Sequence, residues 1–196
     1  MQSSRAPSSP PHPSATRVSA WIERFALLVA ANARVLDLAC GHGRHARYFA
    51  GRGHRVVAVD RDETALAMLG DDARIQTRRL DLEGDRWPLP HERFGAIVVT
   101  NYLHRPLFPY LLEALEGDGV LLYETFARGN EAFGRPSNPD FLLQKDELWQ
   151  IAERHLTVVA FEQGAVCEPQ PGAVLQRLAA VGPDRPWPPM LPSGDL

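Results

Sequence analysis

Two short apolar runs flank a glycine loop and a helix in VLDLACGHGRHARYFAGRGHRVVAVD, Val35 to Asp60, and leave this chain few ways to fold. Arg34–Leu38 and Arg55–Val59 do not alternate apolar with polar, so each reads as a strand buried on both faces. Gly43–Gly51 between them reads as a helix that stops at its glycine. A helix joining the two makes them parallel neighbours in one sheet, because parallel strands need a crossover. Gly41 and Gly43 lack a Cβ, which lets the turn be sharp and the backbone approach a ligand closely. The helix start behind them offers N–H groups to a carboxylate or a phosphate.

The same alternation runs on. Arg17 to Ala30 carries Trp21, Phe25 and Leu28 at helical spacing. Asp62 is placed to cap a helix over Thr64–Leu69, Arg74–Leu80 reads as a third, half-polar strand, and Phe94–Val99 as a fourth. Pro106 suits the first turn of a helix over Leu107–Leu115, and Gly119–Glu124 is a fifth strand. Thr125 to Leu143 has turn residues and little periodicity, and Lys145–Arg154 is helical. Leu156–Glu162 and Val174–Val181 are two last strands with no helix between them. This order predicts an α/β, Rossmann-like three-layer sandwich: a seven-stranded, mostly parallel sheet with an antiparallel C-terminal hairpin.

With 196 residues, 44% hydrophobic and 23% charged, the chain has the make-up of a single soluble globular domain. That domain is expected over residues 15–182, between a Ser/Pro-rich segment 1–14 and a Pro-rich tail 183–196, where proline defeats regular structure. Trp187 and Met190 are the tail's candidate anchors, onto the body or onto a second subunit of a homodimer. A net charge of −3 gives no reason to expect a nucleic-acid partner. Cys40 and Cys167 are too few for a disulfide framework, and no segment approaches the roughly 20 apolar residues of a membrane span. MQSSRAPSSPPHPSA lacks the apolar centre of a secretory signal, so a cytoplasmic protein is expected. His42 and His45 stand three apart, but His42 falls in the glycine loop and nothing completes a ligand set, so no metal is expected.

Asp60, ending the second strand, is placed to accept hydrogen bonds from the two hydroxyls of a ribose. Alone, GHGRHA also fits the dinucleotide pattern G-x-G-x-x-A, or a turn that binds nothing. Asp37 shifts the balance, because a carboxylate four residues before Gly41 repels a pyrophosphate and attracts an ammonium. Asp37-Leu38-Ala39-Cys40-Gly41-His42-Gly43 resembles motif I of the class I S-adenosylmethionine-dependent methyltransferases. LDLE at Leu80–Glu83 and the helix-free terminal hairpin resemble the same family, over about residues 17–182. In appearance the stretch is most similar to small bacterial enzymes of the tellurite-resistance and thiol-methyltransferase kind, which carry an arginine after the second glycine, here Arg44.

The resemblance implies methyl transfer with S-adenosylmethionine as cofactor and S-adenosylhomocysteine as product. It implies a cofactor site made of Asp37, Ala39, Cys40, Gly41, Gly43, Arg44, Asp60, Arg61, Asp81, Leu82, Thr100 and Asn101. Asp81 would accept from the adenine amine, the Leu82 N–H would donate to a ring nitrogen, and Arg44 would hold the methionine carboxylate. Ala39 departs from the family, where many members have glycine.

The acceptor is less legible. VVTNYLHRP, after the fourth strand, lacks the paired prolines of base-amine methyltransferases, and neither cysteine lies where a cytosine-C5 nucleophile would. A small-molecule acceptor is therefore expected, with no catalytic residue assigned. Tyr102, His104 (a base or a capping group), Glu124, Arg128 and Arg135 are its candidate contacts. The last two lie in the long loop ETFARGNEAFGRPSNPDF, which suits either a lid over an acceptor, including an anionic one, or a surface loop pinned by its own phenylalanines. Trp21 and Phe25 either cover the pocket or pack on the sheet. Two other functions stay open on sequence: a nicotinamide-dependent oxidoreductase, and a non-catalytic domain that binds the cofactor or a protein partner.

Overall fold

The computed structural model describes residues 17–84, 86–167 and 172–191. The expected N-terminal segment 1–14 and the tail beyond residue 191 lie outside the described residues. The seven strands are β1 Arg34–Leu38, β2 Arg55–Asp60, β3 Ile75–Arg79, β4 Phe94–Thr100, β5 Leu115–Phe126, β6 Thr157–Val166 and β7 Ala173–Val181. They form one sheet in the order β3-β2-β1-β4-β5-β7-β6. Neighbours from β3 to β5 are parallel, and β7 runs antiparallel between β5 and β6. The expected architecture, terminal hairpin included, is the one observed.

Both faces are covered, as the unbroken apolar strands demand. Leu36, Leu38, Val57, Val59, Ile97 and Val99 face α4 (Phe108–Ala114) and α5 (Glu147–Ala152). Val35, Val56, Ala58, Ala96 and Val98 face α1 (Ala20–Phe25), α2 (Arg44–Gly51) and α3 (Glu63–Ala67). Because side chains alternate along a strand, Asp37, Thr100 and Glu124 point to the α1/α2 face, each two residues beyond a buried valine or leucine.

Helix ends follow local chemistry. Asp62 caps α3 as expected, accepting from the Thr64 and Ala65 N–H groups. Ser19 caps α1 in the same way, accepting from Trp21 and Ile22. The first helical region is shorter than Arg17–Ala30, since α1 gives way to a 3₁₀ turn over Ala26–Leu28. Trp21 and Phe25 are buried, and the Trp21 indole donates to the Leu178 carbonyl, so both pack on the sheet rather than over a pocket. The fifth strand outruns its expected end because Thr125 and Phe126 pair with Gln176 and Leu175 of β7.

The tail is anchored differently from expectation. Trp187 and Met190 are 78% and 76% exposed, so neither pins it to the body. Arg185 does that instead, donating to the carbonyls of Leu28 and Asp118, while the Asp184 N–H donates to Gly117. A guanidinium with five donors can hold a chain on backbone carbonyls without burying apolar area. Among the described residues no helix is long and apolar enough to cross a membrane.

Candidate functional site

The sheet order reverses between β1 and β4, and open α/β sheets bind ligands outside the carboxyl ends of the strands at such a point. A cavity of about 440 Å³ opens there. Every parallel strand contributes to its wall: Ala39 after β1, Asp60 and Arg61 at β2, Leu80 to Glu83 after β3, Asn101 to Leu103 after β4, and Thr125 and Phe126 at β5. Pro136 and Phe141 close it from the long loop.

The glycine loop wraps the floor of this site. Ala39, Gly41 and Gly43 all have positive φ, at 52°, 52° and 72°. Gly43 is favoured twice over, because a Cβ there would also lie 1.9 Å from Leu69 Cδ2 and force that side chain to shift. Ala39 holds its left-handed conformation at a cost of roughly 1–2 kcal/mol that glycine would not incur. The loop's amides are turned inward and used. Gly41 N–H donates to Asp60 Oδ2 at 2.7 Å, Cys40 N–H to the Val59 carbonyl and Gly43 N–H to the Cys40 carbonyl. Asp60 Oδ1 accepts from the Asp62 N–H, so one carboxylate ties the glycine loop to the β2–α3 turn while it lines the cavity.

Asp37 is 1% exposed and does not line the cavity. Its Oδ2 accepts from the Ala46 N–H at 2.8 Å, capping the first turn of α2 from inside the fold. The helix start read from sequence as an open anion site is thus already occupied by a carboxylate of the chain. Burial raises the Asp37 pKa to about 7, opposed by the Ala46 hydrogen bond and Arg44 and assisted by Asp60. The native state therefore keeps a proton between pH 3.8 and 7 that the unfolded chain releases, so this group's stabilising effect is present below pH 3.8 and is lost as pH rises through 7. Asp37→Asn, whose amide oxygen can still accept from Ala46, is expected to erase that slope. Urea midpoints of both proteins from pH 4 to 8 measure it, and parallel curves would refute it.

Other expected residues sit around, not in, the cavity. Thr100 Oγ1 lies 3.3 Å from His45 Nδ1, and His45 Nε2 accepts from the Ser19 N–H, which locks α1 onto α2 and β4. Burial and Arg44 push the His45 pKa down to about 3, so it stays neutral. No group of three or more metal-ligating side chains occurs among the described residues. Cys40 is buried, and its thiol pKa is driven up by that burial. Arg44 reaches the Arg17 carbonyl, and its field is felt by Asp37.

Among the expected acceptor contacts, Tyr102 lines the cavity, whereas His104, Glu124, Arg128 and Arg135 do not. Glu124 is buried and accepts from Arg177 Nε at 2.6 Å, a partner on β7 that lies 53 residues away along the chain. Arg128 and Arg135 are exposed, since the loop's register is set by other groups. Asn130, 1% exposed, donates to the Pro136 carbonyl and accepts from the Val174 N–H. Arg105, also missed, holds both carboxylate oxygens of Glu147 and the carbonyls of Asp140 and Leu142, which fixes the turn carrying Phe141. The cavity wall thus has three carboxylates, Asp60, Asp81 and Glu83, against one arginine, Arg61, which lies 3.9 Å from Glu83. It does not favour the anionic acceptor that the loop's arginines suggest.

Residues 35–116 match the family model of a methyltransferase domain. No curated protein sequence matches the chain. Solved structures do. TehB from Haemophilus influenzae superposes with a TM-score of 0.69 at 19% identity, over 84% of this chain and 62% of that one. An S-adenosylmethionine-dependent methyltransferase from Mesorhizobium loti gives 0.66 at 18% identity, over 83% and 98%. The 1,6-didemethyltoxoflavin-N1-methyltransferase of Burkholderia thailandensis, solved with 1,6-didemethyltoxoflavin and S-adenosylhomocysteine, gives 0.60 at 24% identity, over 82% and 76%. Residues 35–116 are therefore similar to a methyltransferase domain, and the chain has the fold of S-adenosylmethionine-dependent methyltransferases.

Proposed function

We propose that this chain, methyltransferase-like in domain and fold, transfers the methyl group of S-adenosylmethionine to a small-molecule acceptor. The observation that carries the reading is the pairing of an acid at the β2 end of the cavity with an α2 start closed by Asp37. A dinucleotide needs that helix start for its pyrophosphate. With the Asp37 carboxyl already accepting from the Ala46 N–H, that end of α2 is occupied from inside the fold, which a methionine group tolerates and a pyrophosphate does not.

The donor set fits such a cofactor. Asp60 keeps lone pairs beyond its two backbone partners and lines the cavity, so it can accept from ribose hydroxyls. Asp81 and the Leu82 amide stand at the adenine end, and Asn101, with a φ of 56°, turns its backbone back over the cavity from β4. A sulfonium brings its own leaving group, so the protein has mainly to align nucleophile, methyl and sulfur and to exclude water. Phe126, Pro136 and Phe141 supply the apolar wall for that exclusion. The toxoflavin relative acts on a small molecule, which supports the same class of acceptor here.

Calorimetric titration of the protein with S-adenosylhomocysteine, beside NAD, tests the reading. Micromolar affinity for the first alone is expected. Preference for NAD would restore the oxidoreductase, and binding without turnover across a broad acceptor panel would favour a non-catalytic cofactor-binding domain.

A further inference from the structure

The wall of the cavity changes character from one end to the other. Its charged residues, Asp60, Arg61, Asp81 and Glu83, all come from the β2 and β3 ends. That is where the reading above seats the ribose and the adenine, and the inference rests on that reading. The end left to an acceptor is formed at β5 and the long loop by Thr125, Phe126, Pro136 and Phe141. None of these side chains titrates. Arg128 and Arg135 are exposed, His104 does not line the cavity, and the Glu124 carboxylate is taken by Arg177. Tyr102 does line it, but burial raises the pKa of its phenol, which keeps its proton and is no base. Asn101 adds only an amide, which neither takes nor gives a proton at neutral pH.

This lining decides which nucleophiles can react. An alcohol or a phenol needs a base within hydrogen-bond reach, and this end has none. An aliphatic amine, with a pKa of about 10 as in lysine, arrives protonated and has no lone pair to give. A thiol reacts as its thiolate, and an oxyanion is charged from the start. Either would enter a cavity lined by three carboxylates against one arginine, with no cation at the reacting end. A weakly basic aromatic nitrogen meets none of these obstacles. Like imidazole, with its pKa of about 6.5, it is mostly uncharged at neutral pH and keeps its lone pair. Its flat ring also suits a wall of two phenylalanines and a proline.

We infer that the methyl acceptor is an uncharged aromatic nitrogen base, held by Phe126, Pro136 and Phe141 at the uncharged end of the cavity. The lone pair of the ring nitrogen forms the new bond to the methyl carbon as the carbon–sulfur bond breaks. The electron pair of that bond stays on sulfur, and the positive charge passes from sulfur to nitrogen. No proton moves, so no base is needed. The product is a cation, which the aromatic faces and the acidic lining both favour.

The test compares acceptors of one size that differ at the reacting atom: isoquinoline, 2-naphthol, 2-naphthalenethiol and 2-naphthoate. Each is supplied to the full chain with S-adenosylmethionine, and formation of S-adenosylhomocysteine is followed. Isoquinoline is expected to show a kcat/KM about tenfold or more above the other three. Phe141→Ala alters a half-exposed loop residue on the cavity wall. It should raise the KM for isoquinoline about three- to tenfold, the effect of one lost aromatic contact, and leave affinity for S-adenosylhomocysteine as in wild type. Faster turnover of the naphthol, the thiol or the carboxylate would overturn the inference, as would an isoquinoline KM indifferent to Phe141→Ala. No turnover of isoquinoline by a protein that binds S-adenosylhomocysteine would overturn it too, while leaving the cofactor reading in place. Failure of wild type to bind S-adenosylhomocysteine would instead remove the methyltransferase reading, and this inference with it.

Discussion

Asp60→Ala should weaken S-adenosylhomocysteine binding by about 1–3 kcal/mol, the range for hydrogen bonds to a charged group. Two effects converge at this residue. The carboxylate lines the cavity where a ribose would present its hydroxyls, and it also holds the glycine loop through Gly41 N–H and the next turn through Asp62 N–H. Alanine removes both. Asp60→Asn separates them, because its single amide oxygen can keep the Gly41 contact while the NH₂ group cannot accept from a hydroxyl. If ribose recognition dominates, Asn and Ala lose similar affinity while Asn melts closer to wild type. Calorimetry for affinity and thermal melting for the loop supply the two readouts. A variant that melts lower yet binds as tightly as wild type would make Asp60 a loop anchor alone.

How far these features were legible follows from the range of the forces involved. The strands showed plainly, since Val35–Leu38, Val56–Val59 and Ala96–Val99 are apolar on both faces and need no knowledge of their neighbours. The ends of β5 and β6 were misjudged because Thr125, Phe126 and Gln163 to Val166 pair by backbone hydrogen bonds with β7, which leaves little mark on composition. Asp60 could be put on the cavity wall because its place at the end of the second strand follows from topology, whereas Asp81, also on that wall, was legible only through the resemblance carried by LDLE. The role of Asp37 was only half legible. Its position four residues before Gly41 is local, but its capping of Ala46 depends on how α2 folds back over β1. Residues whose partners lie far along the chain escaped altogether. Arg105 meets Glu147 across 42 residues, and Arg177 meets Glu124 across 53. Charge on a loop misled for the same reason, since Arg128 and Arg135 point outward while the buried Asn130 sets the loop's course.

Arg177→Met should cost about 2–4 kcal/mol of folding stability, because it strands Glu124 in the fold. The Glu124 side chain is 9% exposed against 25% for Arg177, and β5–β7 pairing sets them directly opposite each other. Removing one partner of a buried pair leaves a charge with neither water nor counter-ion, and such losses run to 3–5 kcal/mol. The field of Arg44, which also acts on Glu124, and the contact of Arg177 with the half-exposed Glu162 place this pair toward the lower end. Asn101, on the cavity wall, hangs from the Glu124 carbonyl, so loosening this strand end should also weaken cofactor binding. The double variant identifies the cause. Adding Glu124→Leu should restore most of the loss, since a packed apolar side chain replaces the ion at little cost. Urea denaturation of the single and double variants measures both effects. A deficit unrelieved by Glu124→Leu would show that Arg177 stabilises the hairpin by packing its stem, not by pairing Glu124.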